Sequence, residues 1–142
     1  MKFYVSTESC RKIKKAFSNL NTFHIIDVDG LIHDSGFDIS KPVHMFILNT
    51  EIRKLIEVGI NSKRFNGIIY LNSNLCVELV NVLKETLSDI SSELVDDIIL
   101  LDDYDVPKHK IMYKYFDEIV FFPMHKKTKI VECKPILPKK DS

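Results

Sequence analysis

Short apolar runs that alternate with helical patterns constrain the fold of this chain more than any other feature. Residues between the runs place apolar side chains at helical spacing, over 9–19, 42–58, 75–87 and 107–116. The β-prone apolar runs themselves lie at 2–6, 23–28, 67–71, 97–101 and 119–122. Strands separated by helices build βαβ units. The sequence therefore predicts an α/β fold, a three-layer sandwich with a mainly parallel sheet.

The length of 142 residues suits one domain with a single hydrophobic core. We expect that domain to span 1–133, with a further strand at 128–133 and a loose tail over 134–142. Residues 31–41 are polar and contain a glycine, which predicts a loop. Three widely spaced cysteines form no Cys-x-x-Cys pair, and no apolar run is long enough to span a bilayer. These features predict a reduced, cytoplasmic protein that does not enter a membrane.

Charge is balanced overall but segregated along the chain. Lys and Arg number 20, as do Asp and Glu, so the formal net charge is zero. Basic residues dominate 1–20 and 123–142, whereas ten acids against three lysines occupy 85–118. Segregated charge can steer binding to a charged partner, or can simply be a set of solvated faces. A zero net charge argues against tight, unaided binding to nucleic acid.

The turn after the first predicted strand lacks the chemistry of a nucleoside triphosphate site. A phosphate-binding loop there needs glycines, whose backbone N–H groups wrap the phosphates, and a lysine that neutralises them. Residues 5–12 read Val-Ser-Thr-Glu-Ser-Cys-Arg-Lys, without a glycine, and Glu8 repels phosphate. The sequence therefore argues against a functional P-loop.

A strand ending in Asp-x-Asp-Gly resembles the first motif of haloacid-dehalogenase-type phosphatases. Residues 24–35 carry it, and the resemblance implies that Asp27 is the nucleophile and Asp29 the acid/base, with Mg²⁺ screening their charges. Ser73 then follows as the second motif, and Asp102 with Asp103 as the acidic metal-binding motif. The competing interpretation is that Asp29 belongs to a turn that closes a buried strand.

A longer stretch of the chain, to about residue 122, resembles the kinase half of phage polynucleotide kinase. Residues 67–75, Gly-Ile-Ile-Tyr-Leu-Asn-Ser-Asn-Leu, are similar to the kinase strand that ends in an Asp-Thr-Asn-Leu-type turn, with Asn72 in place of the Asp. Residues 105–107, Asp-Val-Pro, also resemble a kinase segment, and Asp29 falls where the family has its catalytic carboxylate. The resemblance implies a P-loop-kinase-like topology, here without a functional P-loop.

Phage proteins that shut off host transcription are similar to such a degenerate kinase domain. The resemblance implies a non-catalytic regulator that binds the RNA polymerase of its host in the host cytoplasm, and it leaves contact with DNA in the transcription complex open. The five histidines are dispersed, so a zinc site is not indicated and we expect no cofactor. The acidic cluster could still bind Mg²⁺ or form a solvated edge. The charged residues that we predict to contact the partner are Arg11, Lys12, Lys14, Lys15, Asp102, Asp103, Asp105, Lys126, Lys127 and Lys129.

Overall fold

The computed structural model describes residues 1–16, 19–91 and 97–122. Its strands are β1 (Lys2–Ser6), β2 (Phe23–Asp27), β3 (Gly67–Leu71), β4 (Asp97–Asp103) and β5 (Glu118–Phe122). Its α-helices are α1 (Cys10–Ala16), α2 (Val28–Ser35), α3 (Pro42–Asn61) and α4 (Val77–Ser91). Two 3-10 helices complete the described elements, Leu20–Thr22 and Lys110–Tyr115.

All five strands pair in parallel, in the order β2-β3-β1-β4-β5. The register places Val5 of β1 opposite Tyr70 of β3 on one side and opposite Leu100 of β4 on the other. Parallel pairing requires a crossover after each strand, and these crossovers carry the helices that cover the sheet. The predicted α/β fold with a parallel sheet between helical layers is therefore confirmed.

Strand residues alternate between two cores, one on each face of the sheet. Phe3 and Val5 pack into a larger core with residues of α2, α3, α4 and the second 3-10 helix. Tyr4, between them, faces a smaller core with Ile13 of α1 and Leu20. This alternation follows from the two-residue period of a strand. The helix that follows β1 therefore lies on the opposite face from the helices that follow β2, β3 and β4.

Helix α2 lies where the sequence predicts a loop, because its ends have strong capping residues. The Asp27 carboxylate accepts a hydrogen bond from the Gly30 backbone N–H at 3.1 Å, which satisfies a donor of the first turn. Gly36 ends the helix in the left-handed region with φ of 66°. The prediction of a loop over 31–41 is thus wrong for residues 31–35. A 3-10 helix also stands in place of the predicted helix at 107–116.

Several predicted features lie outside the described residues. These are the further strand at 128–133 and the tail over 134–142. Three lysines that we predict to contact the partner also lie outside the described residues: Lys126, Lys127 and Lys129.

Candidate functional site

The carboxyl end of β1 lies where the chain connections diverge to opposite faces of the sheet. Strand β1 leads into α1 on one face, whereas its neighbours β3 and β4 lead into helices on the other. Ligands of open parallel sheets bind in the crevice that this divergence creates. Thr7 and Glu8 lie in the turn directly above that crevice. The turn is therefore the place to look for a phosphate-binding site.

The carboxylate of Glu8 occupies this turn and is held between two lysines. Its Oε1 lies 3.3 Å from Nζ of Lys12, and its Oε2 lies 3.1 Å from Nζ of Lys108. The Glu8 side chain is only 11% exposed. Both lysines that could neutralise a phosphate are thus paired with an acid of the chain itself. A phosphate in the turn would meet the negative charge of Glu8 at close range.

Backbone and side-chain hydrogen bonds close the turn further. The Glu8 N–H donates to the Ser6 hydroxyl at 3.0 Å, and the Lys12 N–H donates to the Ser9 hydroxyl at 3.3 Å. Thr7 and His109 are joined through their side chains, with Oγ1 2.7 Å from Nε2. The N–H groups of Glu8 and Lys12 thus donate to side chains of the protein itself, unlike the free donors of a phosphate-binding loop.

Asp102, at the carboxyl end of β4, is a buried acid that organises the loop after that strand. Its carboxylate accepts hydrogen bonds from the N–H groups of Asp103 (2.8 Å), Lys108 (3.1 Å) and His109 (3.2 Å). The Tyr113 hydroxyl donates a fourth. Because Asp102 is 2% exposed, its side chain does not form part of the predicted contact surface. It instead fixes Lys108 and His109 against the turn after β1.

Asp103 and Asp105 remain at the surface of the same loop. Asp103 is half-buried and accepts hydrogen bonds from the N–H groups of Asp105 and Val106, at 2.9 and 3.3 Å. Asp105 is exposed. These two acids retain the exposure that a contact with a basic partner requires.

Asp27, Asp29 and Ser73 come together at the β2 end of the carboxyl edge. Asp29 accepts hydrogen bonds from the Ser73 hydroxyl at 3.0 Å and from its backbone N–H at 3.2 Å. Asp27, however, uses its carboxylate to cap α2. The three residues that the phosphatase resemblance assigns to two motifs are therefore neighbours.

Asp102 and Asp103 do not join that group. Strands β3 and β1 separate β2 from β4, which places the two strand ends three spacings, about 14 Å, apart. Within the described residues no set of three or more His, Cys, Asp or Glu side chains is arranged to hold a metal ion. One Mg²⁺ cannot bridge carboxylates at that distance, because its oxygen ligands lie near 2.1 Å.

A cavity of about 290 Å³ opens at the carboxyl end of β3, between α2, α3 and α4. Ile32, Leu48 and Leu79 make its wall mostly apolar, and Tyr70 and Asn72 give it a polar end. Burial raises the pKa of Tyr70 above its ordinary value. The cavity does not contain any of the predicted catalytic carboxylates.

Helix α1 presents its basic residues to solvent. Ile13 is buried in the smaller core, and the four cations around it are exposed: Arg11, Lys12, Lys14 and Lys15. Lys12 is paired with Glu8, so Arg11, Lys14 and Lys15 give the helix its outward positive charge. We call these three residues the basic helix surface.

Sequence reasoning missed Lys108 and the pair Arg64 and Phe65. Lys108 lies 100 residues from Glu8 in the sequence, and no local sequence pattern predicts a contact between residues so far apart. Arg64 stacks its guanidinium 4.7 Å from the centre of the Phe65 ring. The available signal was a cation directly followed by an aromatic residue in the short segment between α3 and β3.

Comparisons with known protein families, with curated proteins and with solved structures find no match. Among the described residues, no helix combines the length and the apolar character needed to cross a bilayer.

Proposed function

We propose that this chain is a non-catalytic regulator that binds another macromolecule, and that its partner is the RNA polymerase of a bacterial host. The observation that carries the proposal is the Glu8 carboxylate between Lys12 and Lys108, in the turn where a kinase binds phosphate. The partner follows from the sequence resemblance to phage proteins that shut off host transcription, such as the protein Alc.

The turn after β1 supports a binding role because it removes the means of phosphoryl transfer. Transfer from a nucleotide needs cations and free N–H groups that stabilise charge on the phosphates. Here both lysines at the turn are paired with Glu8. Two N–H groups of this segment donate to the hydroxyls of Ser6 and Ser9. A kinase-like fold with this arrangement lacks a phosphate-binding site for a nucleotide but keeps surfaces that can bind another macromolecule.

The topology is proposed to be that of the P-loop kinases, with the phosphate loop degenerate. Strand β1 lies at the centre of the sheet and leads through a short turn into α1, as a strand, loop and helix of that type do. The resemblance of residues 67–75 to a kinase strand and its following turn supports the same topology. On this account the protein works in the host cytoplasm.

Charged surfaces supply the contacts. The basic helix surface and the acids Asp103 and Asp105 lie on different elements and carry opposite charge. Complementary charge at the rim of an interface raises the association rate and excludes wrong partners. Both surfaces are expected to contribute, together with Lys126, Lys127 and Lys129.

Affinity capture tests the proposal. The tagged full chain is incubated with bacterial lysate in one assay and with purified RNA polymerase in another. The bound subunits are then identified. We expect the polymerase to be retained, and retained less by the variant Arg11→Glu/Lys15→Glu. The control Lys84→Glu/Lys110→Glu changes the net charge equally at exposed sites elsewhere and should behave as wild type. Failure of the wild-type chain to retain purified polymerase contradicts the proposal.

A second candidate is a Mg²⁺-dependent phosphatase that uses Asp27 and Asp29, which the contact between Asp29 and Ser73 favours. Hydrolysis of p-nitrophenyl phosphate with Mg²⁺ distinguishes the two. We expect no hydrolysis above background. Robust hydrolysis that is lost in Asp27→Asn overturns the non-catalytic role.

A further inference from the structure

Strand β2 forms one edge of the sheet. It pairs with β3 on its inner side, and within the described residues no strand pairs with its outer side. The backbone N–H and C=O groups of alternate residues of an edge strand point outward, where they can bond a further strand. His24 and Ile25, in the middle of β2, are partly exposed. The edge is thus open to an added chain.

An open cavity of about 420 Å³ lies along this edge. Three consecutive β2 residues line it, Phe23, His24 and Ile25, and so does Phe65 from the loop before β3. The loop is fixed beside the strand by a backbone hydrogen bond of 2.7 Å from the Asn66 N–H to the Thr22 carbonyl. An apolar side chain that projects from an added strand therefore finds a cavity next to its own backbone.

The rim of the cavity is positive. Lys14 of α1 contributes to its lining, and Arg64 lies over the Phe65 ring. Lys15 and Lys63 are adjacent to these two residues in the sequence and are exposed. Among the lining residues that the structure describes, none is acidic. The charge of the rim therefore complements a partner that carries carboxylates.

We propose that the β2 edge binds an extended acidic peptide segment of a protein partner as an additional strand. Backbone hydrogen bonds to β2 supply affinity, and alternate side chains supply specificity. Apolar side chains of one set enter the cavity beside Phe23 and Phe65, and carboxylates meet Lys14 and Arg64. The inference rests on the proposed function only in assigning the chain a protein partner, and it names the chemistry of the segment that is recognised.

The same surface fits a polypeptide better than single-stranded nucleic acid. Base stacking needs a free aromatic face. The Phe65 ring instead has Arg64 over it and the His24 ring 5.2 Å away. An open row of backbone donors and acceptors matches a polypeptide strand, and the zero net charge of the chain offers little general attraction to phosphates.

Fluorescence anisotropy with a labelled heptapeptide tests the surface. The probe alternates valine with glutamate, and its control alternates valine with lysine. We expect the intact protein to bind the glutamate peptide at least about tenfold more tightly than the lysine peptide. The variant Lys14→Glu/Arg64→Glu should weaken this binding about tenfold, since it replaces two attractive charge contacts at the rim with repulsive ones. Lys84→Glu/Lys110→Glu serves as the control of equal charge.

Hydrogen exchange and a backbone control locate the bound peptide. Amides of β2 should exchange more slowly in the complex. The peptide residues at odd positions and those at even positions are N-methylated in two separate peptides. Only the set whose N–H groups face β2 should lose binding on methylation. Equal affinity for both peptides, no binding, or unchanged β2 exchange overturns the inference. So does tighter binding of oligo(dT) than of the peptide at this edge. If polymerase capture persists while the peptide fails, the inference falls and the proposed function stands.

Discussion

Asp102 and Asp29 both lie at the carboxyl edge of the sheet, Asp102 near the end of β4 and Asp29 just after β2, and they differ in burial and in bonding. Asp102 is 2% exposed and accepts hydrogen bonds from three N–H groups and a tyrosine hydroxyl. Asp29 is partly exposed and is bonded by Ser73. The comparison shows that the carboxyl edge is closed at its centre by the chain itself and open toward β2. Two acids at the same edge of the sheet thus differ in what they can do.

Replacement of the buried acid should have the largest effect. Asp102→Ala leaves the Tyr113 hydroxyl and the N–H groups of Lys108 and His109 without their acceptor, in an interior where such groups are costly. We expect the free energy of unfolding to fall by about 3 kcal/mol or more. Urea denaturation followed by circular dichroism measures it.

Asp103→Ala is the matched control. This neighbouring acid is half-buried and bonds two N–H groups of its own loop. Its loss should cost less than about 1 kcal/mol, because water can replace it. Equal stability of the two variants would contradict the closure of this edge by the buried Asp102 carboxylate.

Tyr113→Phe should change how stability depends on pH. Burial raises the pKa of Tyr113 above its ordinary value of 10.0, and the hydrogen bond to Asp102 and the charge of that carboxylate raise it further. The folded protein therefore retains the hydroxyl proton above pH 10 while the unfolded chain releases it. The resulting stabilisation is complete below pH 10 and declines by about 1.4 kcal/mol per pH unit above it.

The phenylalanine variant should lack this decline in the free energy of unfolding above pH 10. At pH 7 it should be about 1.5 kcal/mol less stable than the wild type, because the hydrogen bond is lost. Urea denaturation at pH 7, 10 and 11 measures both effects. The pKa of Tyr70 is also raised by burial, and its contribution remains in both proteins. Identical pH dependence in wild type and variant argues against the Tyr113 contact.

Asp27→Ala tests the cap of α2 on the open side. Loss of the hydrogen bond to the Gly30 N–H should cost about 1 kcal/mol in urea denaturation. Gly30→Ala should also destabilise the protein, because its new Cβ would lie 2.7 Å from Oδ2 of Asp27. In the Asp27→Ala background that contact is gone, so Gly30→Ala should there be neutral or stabilising. Additive losses contradict the cap.

Ser73→Ala should have the smallest effect. The variant removes one of the hydrogen bonds to Asp29 and retains the backbone one. Water reaches both partners, so we expect a loss of at most about 0.5 kcal/mol. A loss as large as that of Asp102→Ala would mean that the edge near β2 is as closed as the centre.

Strands β1, β3 and β4 were predictable because nearly all of their residues are buried, on both faces of the sheet. The bounds of β1 and β3 match the predicted ones, since their apolar runs end at polar residues on each side. Helix α2 was not predictable in the same way, because an Asp followed by Gly30 is also the pattern of a turn. Whether Asp27 caps a helix or closes a turn depends on the packing of Val28 into the larger core.

The candidate site was predictable in its local parts and not in its long-range contacts. The missing glycines and the acid at position 8 can be read from residues 5–12. Lys108, which completes the Glu8 pairing, comes from a loop whose position depends on Asp102. Asp102 is buried because β4 extends to residue 103 and because Tyr113 packs against its carboxylate. The sequence pattern of clustered acids indicates a solvated surface and predicts neither feature.

A titration of the isotope-labelled protein with Mg²⁺ and ATP, followed by backbone amide NMR, shows whether the turn after β1 binds nucleotide. We predict that amides of residues 6–12 do not shift in a saturable manner at millimolar nucleotide, because the Glu8 carboxylate in the turn disfavours the phosphates. Saturable shifts in this turn, with a dissociation constant below about 1 mM, would contradict it.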